Sequence, residues 1–121
     1  MSESLFVRLG GNEGIKNIVN DLVDLHAGNK TISNRFIDSD LPALKKAATE
    51  FFIAGTGGEG VYKGKDLKTA HRGMNISPTE FMAGLDDALD ALERNNVGQR
   101  EREEVLFVLY SMRKDVMGVC H

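Results

Sequence analysis

Residues 55–66 read GTGGEGVYKGKD, five glycines in twelve positions, in a chain whose other segments repeat with the period of an α-helix. A helix carried through this stretch would lose about 1 kcal/mol per glycine relative to alanine. The chain therefore cannot fold as a plain bundle of uninterrupted helices. It must place a long connection between its helical segments, and connections of that length in a small domain are uncommon and tend to be functional.

The flanking segments are helical in pattern. Asn12 is placed to cap a helix whose apolar stripe is Ile15, Ile18, Val19, Leu22, Val23 and Leu25, with His26 at its edge. Gly28 and Asn29 are expected to close it in a left-handed turn. A link containing Phe36 leads to Asp40 and Pro42, which open a second helix with the stripe Leu41, Leu44, Ala47, Ala48, Phe51 and Phe52. Beyond the glycine stretch, a very short helix is expected over residues 67–71. Ser77, Pro78 and Glu80 then spell a helix start: serine as cap, proline in the first turn, and glutamate three residues on to close a capping box. The helix behind them carries Phe81, Leu85, Ala88, Leu89 and Leu92. After a turn at 95–98, a last helix shows Val105, Leu109, Met112 and Val116 on one face. No stretch alternates as a strand would. The expected architecture is all-α, one domain over residues 1–121.

Bulk properties exclude several classes. Net charge is −3 and the basic residues are dispersed, so no nucleic-acid footprint appears. A lone cysteine, Cys120, permits no internal disulfide and no cysteine-based zinc site, and is read as a tail thiol. The start, MSESLFVRLGG, lacks the features of a signal peptide, and no run approaches the ~18 apolar residues of a membrane span. A cytoplasmic location is expected. GTGGEG lacks the Lys-Ser/Thr that would make it a phosphate loop. With only His26, His71 and His121 available, no Ser-His-Asp arrangement can be assembled.

His71, in KTAHRGMNIS, follows the glycine stretch directly. It is either a surface or capping histidine beside a loop, or a ligand. Zinc would need three or four donors, which this chain cannot gather, whereas one axial imidazole suffices for haem. If His71 binds anything, haem is the economical choice.

Several spaced motifs resemble the truncated haemoglobins, most closely the group I, 2-over-2 members, over roughly residues 4–117. SLFVRLGG looks like the family's short first helix and glycine corner. Phe36 falls on the aromatic that wedges against haem, and FFIAGTGG, with Phe51, on the second glycine motif and a pocket aromatic. VYKGKDLKTAHRGMNIS looks like the proximal segment. The resemblance implies a truncated globin fold, with a short first helix and a glycine-rich loop before a very short proximal helix. It also implies His71 as the iron ligand, and a haem pocket drawn from Phe36, Leu44, Ala48, Phe51, Leu67, Met74, Phe81, Leu85 and Met112. Some relatives carry, at the place of Met112, a histidine that bonds covalently to haem. Methionine here implies ordinary haem b. The basic residues Lys45, Lys46, Lys63, Lys65, Lys68 and Arg72 are candidates for the propionates.

The distal side departs from the family pattern. Many relatives place a tyrosine and a glutamine there as hydrogen-bond donors to the gas. The matching positions here hold Val23, Leu44, Ala47 and Ala48, all apolar. A hydrogen bond to a polarised ligand is worth ~1.5–3 kcal/mol, so its loss should weaken O2 binding about ten- to a hundredfold and affect CO and NO less. His26, one turn beyond Val23, could tip into this pocket or pack at its edge.

Three functions follow as expectations. The first is a binding protein for O2, CO or NO, with diatomic gases as ligands and an electron-donating reductase as a possible partner. The second is an enzyme, an NO dioxygenase or weak peroxidase. Missing distal acid–base groups count against the peroxidase. The third is a haem-free, globin-shaped interaction module.

Overall fold

The structure is a computed structural model that describes residues 4–37, 40–58, 76–111 and 113. Helix α1 (Leu5–Arg8) is a single turn, capped by Ser4, whose hydroxyl accepts from the Val7 amide at 3.3 Å. Gly10 then adopts φ +99°, a left-handed conformation that a side chain would resist, and becomes the N-cap of α2 (Gly11–Gly28). Asn12, expected as the cap, lies inside the first turn instead. The glycine corner makes the break, and no side-chain cap is used.

α2 buries Ile15, Ile18, Val19, Leu22 and Val23 as its spacing predicts, with Leu25 half-buried. Its C-terminus does not follow expectation. Asn29 is extended, with ψ 113°, rather than left-handed. Its side chain takes over: Oδ1 accepts from the Thr31 amide at 3.0 Å, and Nδ2 donates to both oxygens of Asp87. A 3-10 turn (Ser33–Phe36) follows.

Helix α3 (Leu41–Gly55) opens where Asp40 predicts, its carboxylate accepting from the Ala43 amide at 3.1 Å. It ends as the glycine stretch begins. The Thr56 carbonyl accepts from the Phe6 amide at 2.9 Å, tying α1 to the end of α3. A Cβ on Gly58 would sit 2.6 Å from Ile53 and 2.7 Å from Phe6, so only glycine allows this approach.

Helix α4 (Pro78–Arg94) starts with the expected capping box. The Ser77 hydroxyl accepts from the Glu80 amide, and the Glu80 carboxylate accepts from the Ser77 amide, both at 3.1 Å. Asn96, at φ +59°, turns the chain into α5 (Gln99–Ser111).

α2 is the centre. It packs against α3 on one side and α4 on the other, and α5 lies on α4. Ile15, Val19 and Leu92 are fully buried at this junction, beside Ala88, Ala91, Val97 and Val105. Arg8 ties α1 to α5 by bonding Glu101 at 2.9 Å and also Glu104. Leu109 packs on the core from α5, while Met112 and Val116 lie outside the described residues. None of the described helices is long and apolar enough to cross a membrane.

Candidate functional site

α3 carries an apolar face that the rest of the described structure does not close. Its one buried residue is Ile53, which lies off the expected stripe. Leu41, Leu44, Ala48 and Phe52 rest against the core but stay only half-buried, as do Ala47 and Phe51. On α4 the division is similar. Ala88, Ala91 and Leu92 are buried towards the core, while Phe81, Leu85 and Leu89 are half-covered. α3 and α4 both lie on α2 yet meet each other at most marginally. Neither apolar face is therefore covered by the other.

Half-covered leucines and phenylalanines on two helices are costly to leave against water, at ~25 cal/mol per Å² of apolar surface. The arrangement fits a flat apolar group that would cover both faces. Phe51 and Phe52 meet edge to face, with ring centroids 6.3 Å apart, and Phe81 lies 6.4 Å from the Tyr110 ring on α5.

Of the expected distal residues, Val23 is 3% exposed within the core cluster, and Leu44, Ala47 and Ala48 lie on the half-covered face of α3. His26 has a defined partner. Its Nδ1 lies 2.7 Å from Asp87 Oδ2, and its ring sits 5.9 Å from that of Phe36. Since a carboxylate can only accept, Nδ1–H donates. This group, Asp87 with His26 and Asn29, was not singled out from the sequence. No sequence signal set it apart: Glu80 and Asp90 stand on the same side of the helix, so Asp87 reads there as one more solvated charge.

Arg35 and Glu80 form a second polar link. Arg35 Nη2 donates to Glu80 Oε1 at 2.9 Å, and Nε bonds the other oxygen. The guanidinium, helped by the Ser77 amide, holds the Glu80 carboxyl down at about 2. Among the basic residues expected at a propionate rim, Lys45 is engaged elsewhere, 2.8 Å from Asp24, and Lys46 is exposed. His71, Leu67, Met74 and Met112 lie outside the described residues, as do Tyr62, Lys63, Lys65, Lys68, Arg72, Cys120 and His121.

A family model of bacterial-like globins matches residues 4–118. A group 1 truncated haemoglobin of Tetrahymena pyriformis is 27% identical over 116 residues, covering 96% of each chain. Another from Chlamydomonas moewusii is 25% identical, covering 96% of this chain and 69% of that one. The crystal structure of the T. pyriformis truncated haemoglobin in its Fe(III) form superposes with a TM-score of 0.91, spanning 96% of this chain and 99% of the other.

Proposed function

This chain belongs to the bacterial-like globin family and has its truncated, 2-over-2 fold, and from that premise we propose that it binds haem b non-covalently, ligates the iron through His71 and reversibly binds diatomic gases. Membership implies haem binding and gas binding in general. The observation that carries the reading on this chain is the pair of half-covered apolar faces on α3 and α4, two helices packed on α2 but not on each other.

Haem supplies, when bound, an iron with a position open to O2, CO or NO. The residues we assign to hold it are His71, whose neutral imidazole is a sufficient axial donor, and Phe36, Leu44, Ala48, Phe51, Phe81 and Leu85 as apolar cover. Leu67, Met74 and Met112 complete the set that the family resemblance suggests.

Val23, Leu44, Ala47 and Ala48 give the gas no hydrogen-bond donor. They also hold no proton to deliver, so gas binding is favoured over peroxide chemistry. The resulting pocket favours CO and NO over O2, relative to family members with polar distal groups. We assign the protein to the cytoplasm, where a reductase would keep the iron ferrous.

The test is a haem titration of the purified protein beside His71→Ala, followed in the Soret region in ferric, ferrous and ferrous-CO forms. Stoichiometric uptake, with a ferrous spectrum that changes in the variant and is restored by added imidazole, supports the assignment. Absence of specific uptake by the wild-type protein overturns it.

A further inference from the structure

Glu80, Gly84 and Asp87 recur at i, i+4 and i+7, one face of α4. Every one of them meets the chain between residues 26 and 36. Glu80 binds Arg35 through both of its oxygens. A Cβ on Gly84 would make ordinary contact with His26 Cε1 at 3.7 Å, so the imidazole lies directly beside α4 at this position. Asp87, 9% exposed, accepts from His26 Nδ1 at 2.7 Å and from Asn29 Nδ2 at 3.1 and 3.2 Å. Both links end beside one residue. Phe36 follows Arg35 in the chain, and its ring lies 5.9 Å from that of His26, tilted by 30°.

A buried carboxylate is a poor way to gain stability. Its desolvation offsets much of what its partners return, and an apolar residue of similar size often serves as well. What it supplies is orientation: the charge fixes which nitrogen of His26 carries the proton and how the ring is turned. We propose that Asp87 and Arg35 are positioning residues for the haem pocket, acting through His26 and through the backbone beside it to hold the Phe36 ring at its working angle. This rests on the haem reading given above. It goes beyond it by assigning a role to a polar seam that touches neither gas nor iron.

A double-variant cycle on the haem-loaded protein tests it. Wild type, Asp87→Asn, Phe36→Leu and the double variant are loaded in the ferric form, and haem loss to an excess of a haem-free scavenger globin is timed by absorbance. Asp87→Asn alone should speed loss about three- to tenfold, less than the ten- to hundredfold worth of a hydrogen bond to a charged acceptor, because the change reaches the haem only through Phe36. In the Phe36→Leu background the same change should add nothing, because its route to the haem is gone. The Soret circular dichroism of Asp87→Asn should shift in the same sense as that of Phe36→Leu. Arg35→Gln, which leaves the Ser77–Glu80 cap in place, serves as the second variant should Asp87→Asn fail to fold, with the same pattern expected. If haem binds stoichiometrically but the two effects multiply, or Asp87→Asn matches wild type, the positioning role alone is overturned. If wild type takes up no haem, both readings are overturned.

Discussion

α2 and α3 pack on each other, and the more apolar of the two is the less buried. α2 has 18 residues and buries five of them. α3 has 15 residues, richer in alanine and phenylalanine, and buries only Ile53. A helix that is apolar over most of its surface should sit deeper than an amphipathic one. α2 has α3 on one side and α4 on the other, so its stripe is closed by protein on both flanks. α3 has α2 alone as an extensive partner among the described helices, and its remaining apolar face holds Leu44, Ala47, Ala48 and Phe51 half-covered. The difference marks the face of α3 on which the proposed pocket rests, since its apolar content exceeds what the other described helices cover.

Substitutions on the two sides should separate accordingly. The largest effect is expected at the α2 junction. Leu92→Ala, at a site 1% exposed, should cost ~2–5 kcal/mol of stability by leaving a cavity. Phe51→Ala, on the half-covered face, should cost the haem-free protein much less and the haem-loaded protein more. Urea unfolding of both forms measures this, and equal losses in the haem-free state would break the comparison.

Next in size is the polarity of the α3 face. Leu44→Gln places a donor on it and should slow O2 release about tenfold or more while leaving CO little changed, as a new hydrogen bond of ~1.5 kcal/mol requires. Stopped-flow displacement of O2 gives the rate directly. An unchanged O2 rate would mean that Leu44 does not face the gas.

Smaller still is the cap of α3. Asp40→Ala should cost ~1 kcal/mol, and amide exchange should quicken at the start of α3 rather than across α2. The last effect, read along pH rather than at neutrality, belongs to Glu80. Its carboxyl, held at about 2 against an ordinary 4.5, adds stability that is fully present above 4.5 and fades as pH falls through about 2. Acid unfolding of Glu80→Gln should accordingly show a flatter dependence over that window than wild type does.

Much of the fold was legible before any coordinates. Asp40 and the Ser77–Glu80 box mark the starts of α3 and α4, and the stripe Ile15, Ile18, Val19, Leu22 and Val23 is the buried face of α2. The family resemblance supplied the expected pocket residues, and those among them that the structure describes on α3 and α4 fall on the half-covered faces. Asn12 and Asn29 show where such reading stops. Each is a good cap residue by type, but Gly10 had already broken the helix for one, and a carboxylate on another helix claimed the other.

The starts of α3 and α4 and the buried stripe of α2 belong to the sequence alone, because each is set by residues within a turn or two of one another. The burial of Asp87, its hold on His26, the Arg35–Glu80 link and the uncovered face of α3 were decided only in the tertiary structure. His26 and Asp87 stand 61 positions apart, and Arg35 and Glu80 45. No local pattern encodes such partners; they meet because α2, packed between α3 and α4, brings its C-terminal end against the middle of α4.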